Sequence, residues 1–235
     1  MAGGLRSVRQ TAGVAMEQFC LAPGISHHSF GEGAIVLDLD RDRYWRVGAG
    51  AAFVLDWICG GVAGAAHPEV IVQLCEMGLI RRSRDSGEHA GPALPPGRGS
   101  AIEQPGHPLP VRIADLIEVA ALLVAARLIV RRGGIRKAVD DVRNARARPG
   151  RGVMDDLDLL ARRFHASRTL VPLAAKCLPD TLAFQRYAAR RGHFPNLVFG
   201  VVPIPFAAHC WSQSGDRILN DAVGHTRAFA PILIV

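Results

Sequence analysis

Lys176-Cys177-Leu178-Pro179-Asp180 opens the stretch on which the reading of this chain turns. Leu182, Ala183, Phe184 and Tyr187 continue it as an apolar helical run that ends at Gly192. Phe199-Gly200-Val201-Val202 then reads as a strand, followed by Ala208-His209-Cys210-Trp211 and by Arg217-Ile218-Leu219-Asn220-Asp221. A cysteine at a helix start is poised for reaction, because unpaired backbone N–H groups there favour the thiolate, the reactive form. Pro179 suits the first turn, where its missing donor is tolerated. Strand alternation sets Ala207, His209 and Trp211 on one face and Ala208, Cys210 and Ser212 on the other. With His209 facing the helix start, Trp211 lies beside it and shields the ring from water, while Cys210 points away into the core. Gly215-Asp216 is a turn signal, so Asp221 ends the neighbouring antiparallel strand, in reach of the imidazole whose tautomer a carboxylate fixes. Asn220 faces the opposite way, and Asp216 reads as an exposed turn residue. Taken singly, Cys177 is a core cysteine like Cys59 or Cys75, and His209 a satisfied strand histidine. Together, Cys177, His209 and Asp221 are the expected catalytic residues of a thiol enzyme.

Composition narrows the alternatives. The chain has 235 residues, 49% of them hydrophobic and 21% charged, enough for a real core and unlike a disordered segment. Its net charge of +7 is uneven: residues 1–100 hold 9 basic and 10 acidic side chains, residues 101–235 hold 19 and 11. Between Gly48 and Met77 there is no Lys or Arg, so a helix there lacks the phosphate contacts that nucleic-acid recognition needs. In the C-terminal half the arginines recur near helix ends, as at Arg131-Arg132, Arg162-Arg163 and Arg190-Arg191, without interleaved aromatics. Direct nucleic-acid binding is not expected. Five cysteines in no metal-ligand spacing, with no apolar core in Met1–Gln18, fit reduced thiols in a cytoplasmic protein. The most apolar run, Val119–Val130, contains Arg127 and is too short to span a membrane. Neither a metal nor a cofactor is expected.

Ahead of the decisive stretch, Ala34–Val47 reads as a β-hairpin, with Ile35, Leu37 and Leu39 alternating against Val36, Asp38 and Asp40 before Tyr44-Trp45. A helix over Gly48–Gly60, a second after Pro68 and a closing Gly78-Leu79-Ile80 complete a small α+β unit of winged-helix kind over residues 1–86. Residues 87–110 crowd Gly and Pro and read as a linker with almost nothing to bury. Residues 111–235 begin with helices over Val111–Arg132, Ile135–Ala145 and Met154–Ser167, the first ended by Gly133-Gly134. Helices first and an antiparallel sheet second make this half α+β, with Cys177 at the helix–sheet join.

The blocks Cys177-Leu178-Pro179-Asp180, Ala208-His209-Cys210-Trp211 and Leu219-Asn220-Asp221, separated by 32 and 12 residues from Cys177 to His209 to Asp221, resemble the transglutaminase-like leader peptidases of lasso-peptide biosynthesis, the B proteins. Cys210 departs from that pattern, where a small or apolar residue is more usual. Ile35-Val36-Leu37-Asp38 and Tyr44-Trp45-Arg46-Val47 resemble the precursor-recognition domain that stands alone or is fused ahead of this peptidase. The resemblance implies a papain-related cysteine peptidase that cuts between the leader and core of a ribosomally made precursor. It further implies that the leader adds as a strand to the hairpin edge, with Ile35, Leu37, Tyr44, Trp45 and Val47 as the peptide-binding side chains. The partners implied are the precursor and an ATP-dependent lasso cyclase that closes the freed amine onto an acidic side chain. True amide transfer and a non-catalytic adaptor are the rival readings; an adaptor would need none of Cys177, His209 and Asp221.

Overall fold

In the computed structural model, residues 19–60, 67–83, 94–104, 109–147 and 156–235 are described. The chain divides into two compact units, Met1–Asp38 with Tyr44–Gly91, and Leu39–Arg43 with Pro92–Val235.

In the first unit, Ile25–Phe30 (β2), Gly33–Asp38 (β3) and Arg43–Gly48 (β4) form a three-stranded sheet with β3 at its centre. Phe19–Leu21 (β1) pairs antiparallel with Ile80–Arg82 (β5), closing the unit on itself. The hairpin expected over Ala34–Val47 is β3 and β4; the His/Ser-rich β2 ahead of it carries no apolar alternation and was not anticipated. Two helices follow, Ala49–Ile58 (α1) and Pro68–Glu76 (α2), the second with its proline in the first turn. Val36, Val54, Leu55, Leu74, Leu79 and Ile80 form the buried core, with Trp45 and Val47 packed against it. His27 Nε2 and Ser29 Oγ both reach Asp56 Oδ1 at 2.8 Å and tie β2 to α1. The expected peptide-binding pair Ile35 and Leu37 requires correction. Both are sealed in, at 2% and 0% exposure, so neither side chain is at hand for an incoming peptide. As the central strand, β3 is covered on both faces, which simple alternation does not reveal. Tyr44, Trp45 and Val47 lie half-buried on β4, an edge strand.

The second unit is built around one helix. Cys177–Ala189 (α5) is enclosed at Pro179, Thr181 to Gln185, Tyr187 and Ala188, as a helix apolar on most sides must be. Ile113–Arg146 (α3) and Leu157–Leu170 (α4) pack on it, the latter through Phe164, whose ring meets Phe184 edge-on at 5.3 Å. α3 is broken at Gly134, whose φ of 58° and ψ of −157° lie outside the helical region, at the Gly-Gly pair that ended the helix in the sequence reading. Asp156 caps α4 by accepting from the Asp158 N–H; Met154 and Asp155, the start expected for this helix, fall outside the described residues. Beyond α5 run Asn196–Pro203 (β7), Phe206–Ser214 (β8), Arg217–Ile218 (β9) and Ala230–Ile234 (β10), with Val223–Thr226 (α6) between the last two. The sheet order is β10-β7-β8-β9-β6, where β6 is Gly99–Ser100.

That outermost strand changes the meaning of the Gly/Pro-rich stretch. Residues 94–102 are not a bare tether. β6 pairs in parallel with β9, Ala101 is wholly buried, and Leu94 packs against the cluster of Val198, Trp211 and Ile218. Gly97 and Gly99, two of the glycines that suggest a linker, stand where the backbone passes close to side chains of β9. A Cβ on Gly97 would lie 2.5 Å from Ile218 Cδ1, and one on Gly99 would lie 2.5 Å from Arg217 Nη1. Gly97→Ala should therefore destabilise the protein by about 1–3 kcal/mol through overpacking. Gly31→Ala, where a Cβ meets nothing within 4 Å, should leave the melting midpoint nearly unchanged. Equal midpoints for the two variants in thermal denaturation would contradict this packing.

Candidate active site

Cys177 is the first residue of α5 and is exposed to solvent. The loop leading into it is pinned by two arginines that sequence reasoning gave no role. Arg168 Nε donates to Asp180 Oδ2 at 2.9 Å, while its Nη groups donate to the carbonyls of Val171 and Leu173 at 3.3 and 2.9 Å. Arg127 Nη2 donates to the Ala174 carbonyl. No local sequence signal marks either arginine, because each acts on backbone that other elements bring to it.

His209 lies mid-strand on β8, paired with Gly200 of β7. The glycine is required: a Cβ there would sit 2.7 Å from Trp211 Cζ3 and 2.8 Å from Phe229 Cβ. Those two residues and His225 surround the imidazole, with ring centroids 6.1, 5.1 and 4.4 Å from that of His209. Trp211 is buried and stacked beside His209 at an interplanar angle of 19°, as alternation predicted, and its Nε1 donates to Gln213 Oε1. Asp221 follows β9 in a bend, and its Oδ2 is hydrogen-bonded to His209 Nε2. The Ala222 N–H donates to Oδ1 at 2.7 Å, and Ser100 Oγ donates to the Asp221 carbonyl at 2.6 Å. Asp216 is an exposed turn residue, as expected; Asn220 turns inward, but it and Asp221 lie in a bend past β9 and not on the strand whose alternation was expected to orient them.

α5 is held on the sheet by a buried polar seam. Thr181 Oγ1 donates to the Cys210 carbonyl at 3.2 Å and accepts from Asn220 Nδ2 at 2.8 Å. Asn220 Oδ1 accepts from the Ser212 N–H at 2.7 Å, and Gln185 Nε2 donates to Ser212 Oγ at 3.0 Å.

The sequence reading of Cys210 as a core residue pointing away is half right. It is 2% exposed, but its thiol and its backbone N–H both hydrogen-bond to Cys177. α5 packs along β8, so its first residue meets two consecutive strand residues rather than one. The Cys177 thiol is lowered to about 4, first by the hydrogen bond from Cys210; desolvation opposes, and the hydrogen bond and charge of His209 add to the fall. Burial opposes the charge of His209, but its hydrogen bonds to Asp221 and to Cys177 outweigh that and raise it to about 9. Asp221 is held below the ordinary carboxylate range, against burial, by His209, the Ala222 N–H and His225. Burial and then Cys177 push the Cys210 thiol well above its usual range, so it stays protonated and donates. At neutral pH the arrangement is a thiolate beside an imidazolium that is backed by a carboxylate. His209, Asp221 and His225 also present donor atoms within 4.8 Å of one another, a spacing that a metal ion could use, although their mutual hydrogen bonds already account for it.

Residues 120–234 match the family model described as the transglutaminase-like superfamily. The C-terminal part of the chain is a transglutaminase-like domain. No curated protein and no solved structure matches the chain. Members of this superfamily are typically cysteine-dependent enzymes, and the mixed α+β transglutaminase-like domain of this chain holds Cys177, His209 and Asp221 within the matched span.

Three outcomes follow from this geometry. The reactive pair exists above the thiol value and below the imidazolium value, so turnover should rise through about pH 4 and fall through about pH 9. Cys210→Ala removes the first cause of the low thiol value, so the acid limb of Cys177 alkylation by iodoacetamide should move to higher pH; an unmoved limb would refute that role. Thr181→Val leaves the Cys210 carbonyl and Asn220 Nδ2 without partners in a buried seam. It should cost about 1–3 kcal/mol in denaturant titrations and slow Cys177 alkylation.

Proposed function

We propose that this chain is a cysteine peptidase that cuts a ribosomally made lasso-peptide precursor between leader and core through Cys177, His209 and Asp221. The observation that carries the reading is the ordered contact of these three side chains, with Cys177 lowered and His209 raised so that the ion pair is already formed at neutral pH. The Cys177 thiolate attacks the scissile carbonyl carbon and pushes its π electrons onto oxygen. The oxyanion is held by the first-turn N–H groups of Cys177 and Leu178; Pro179 has none, and the Asp180 N–H already donates to Lys176 O. Collapse expels the core amine, which takes its proton from His209 and leaves a thioester on Cys177. Neutral His209 then takes a proton from water as the hydroxide attacks the thioester, and the leader acid leaves with the thiolate restored. Asp221 keeps the imidazole oriented through both half-reactions.

The first unit, a small winged-helix-like recognition domain in this reading, holds the leader along an edge of its sheet. Strand β4, at an edge of the sheet among the described residues and carrying the half-buried Tyr44, Trp45 and Val47, is the place of strand addition in this reading. The released core amine is the nucleophile for a partner ATP-dependent cyclase. A thioester can also be resolved by an amine, so transfer is the competing outcome of the same intermediate.

Incubating a candidate precursor with the purified chain and weighing the products tests this directly. Hydrolysis gives leader and core with one added water, and inclusion of a primary amine reveals transfer as a leader–amine adduct. Cys177→Ala should leave the precursor intact, and Asp221→Asn should lower turnover about 10²–10⁴-fold. Cleavage by the Cys177→Ala protein would overturn the reading.

A further inference from the structure

Asp221 has a second histidine on it. His225 Nδ1 lies 3.1 Å from both Asp221 oxygens, four residues on, within α6. A carboxylate only accepts, so this nitrogen carries the proton and donates to both oxygens. The remaining contacts of Asp221 are already committed: Oδ2 to His209, Oδ1 to the Ala222 N–H, and the backbone carbonyl to Ser100 Oγ. Ser100 and Ala222 hold the main chain and one oxygen. They do not by themselves set the rotation of the carboxylate about its last torsion, which is broad in aspartate. A donor bridging both oxygens does set it, and His225 is placed to be that donor.

The ring is itself held. Its centroid stands 4.4 Å from that of His209, and Phe229 meets it edge-on at 5.6 Å and 86°. α6 is anchored at its start, where the Val223 N–H donates to Glu103 Oε2 at 2.9 Å. With its side chain 53% exposed, His225 stands on the solvent side of the His209–Asp221 pair, where water would otherwise compete for the carboxylate.

We propose that His225 is a positioning residue of the thiol site, donating Nδ1–H across the Asp221 carboxylate so that Oδ2 is aimed at His209. The inference rests on the Cys177, His209 and Asp221 reading of the site and extends it to a fourth side chain. It acts through Asp221 and touches no reacting atom.

The test needs no peptide substrate. The rate of Cys177 alkylation by iodoacetamide at about pH 4, within the titration range of the thiol, followed by mass spectrometry of the intact full-length chain, reports the thiolate that an oriented imidazolium sustains. Wild-type Cys177 should react far ahead of Cys59 and Cys75, and Asp221→Asn should set the slow limit. His225→Ala should slow the reaction about fivefold at that pH, the scale of losing one charge-assisted hydrogen bond. His225→Asn, whose amide nitrogen can occupy the Nδ1 position, should recover most of the rate. His225→Gln, whose amide reaches the Nε2 position instead, should not. Thermal melts separate these effects from unfolding, and if the alanine variant fails to fold, the Asn and Gln pair still decides. A wild-type rate in His225→Ala, or Asn no better than Gln, overturns the inference. A wild-type Cys177 no faster than Cys59 and Cys75 would instead overturn the underlying site, which keeps the two failures distinct.

Discussion

The second unit depends on the polar seam between α5 and β8. Thr181, Asn220, Ser212 and Gln185 exchange hydrogen bonds in an interior otherwise filled by Leu182, Phe184, Leu197 and Phe199. Apolar packing alone would let a helix slide along a strand by a fraction of a turn at small cost. Directional bonds in a medium of low dielectric do not allow that, because each slip leaves a buried donor unpaired. The seam fixes the register of α5 on the sheet, and the register sets where Cys177 stands relative to His209 and Cys210. Precision at the surface-exposed thiol is thus generated one to two turns away, in the core.

Charge is used in the same way. The basic excess of the C-terminal half goes largely into ties between elements. Arg186 grips Asp141 at 2.7 and 2.6 Å, Arg191 reaches Glu118 at 2.8 Å while stacking on Tyr187, and Arg217 reaches Asp158 at 2.6 Å. The Arg168–Asp180 pair is the most enclosed of these, and it spans the segment that precedes the nucleophile. Removing one member of such a pair strands the other charge in the interior, which is why it constrains the loop more firmly than an exposed pair does.

The site itself is a chain of hydrogen bonds ending in a thiolate. His225 and the Ala222 N–H act on Asp221, Asp221 acts on His209, and His209 with Cys210 acts on Cys177. His209, Asp221 and Cys210 are partly or wholly withdrawn from water, so the hydrogen bonds among them are worth more than they would be at the surface. The free cysteine at position 210 places a weak donor beside the Cys177 sulfur and is part of the local electrostatics.

What the sequence determined by itself was local. The hairpin over Ala34–Val47, the break at Gly133-Gly134, the helix beginning at Cys177, the alternation that sets His209 beside Trp211 and the turn at Gly215-Asp216 all follow from periodicity and turn chemistry within a few residues. Tertiary structure alone decided the rest. Ile35 and Leu37 read as one open face until β3 proves to be central and both faces are covered. Residues 94–102 read as linker because small residues that permit close backbone approach look, in sequence, the same as small residues that permit flexibility. Ser100 meets Asp221 across 121 residues, and Arg127 meets Ala174 across 47, with nothing in either neighbourhood to announce the partner. Cys210 was assigned by strand alternation, which tells which face a side chain takes but not how far along that face a helix will lie. Local rules fix direction; only packing fixes distance, and the chemistry of this site is set by distance.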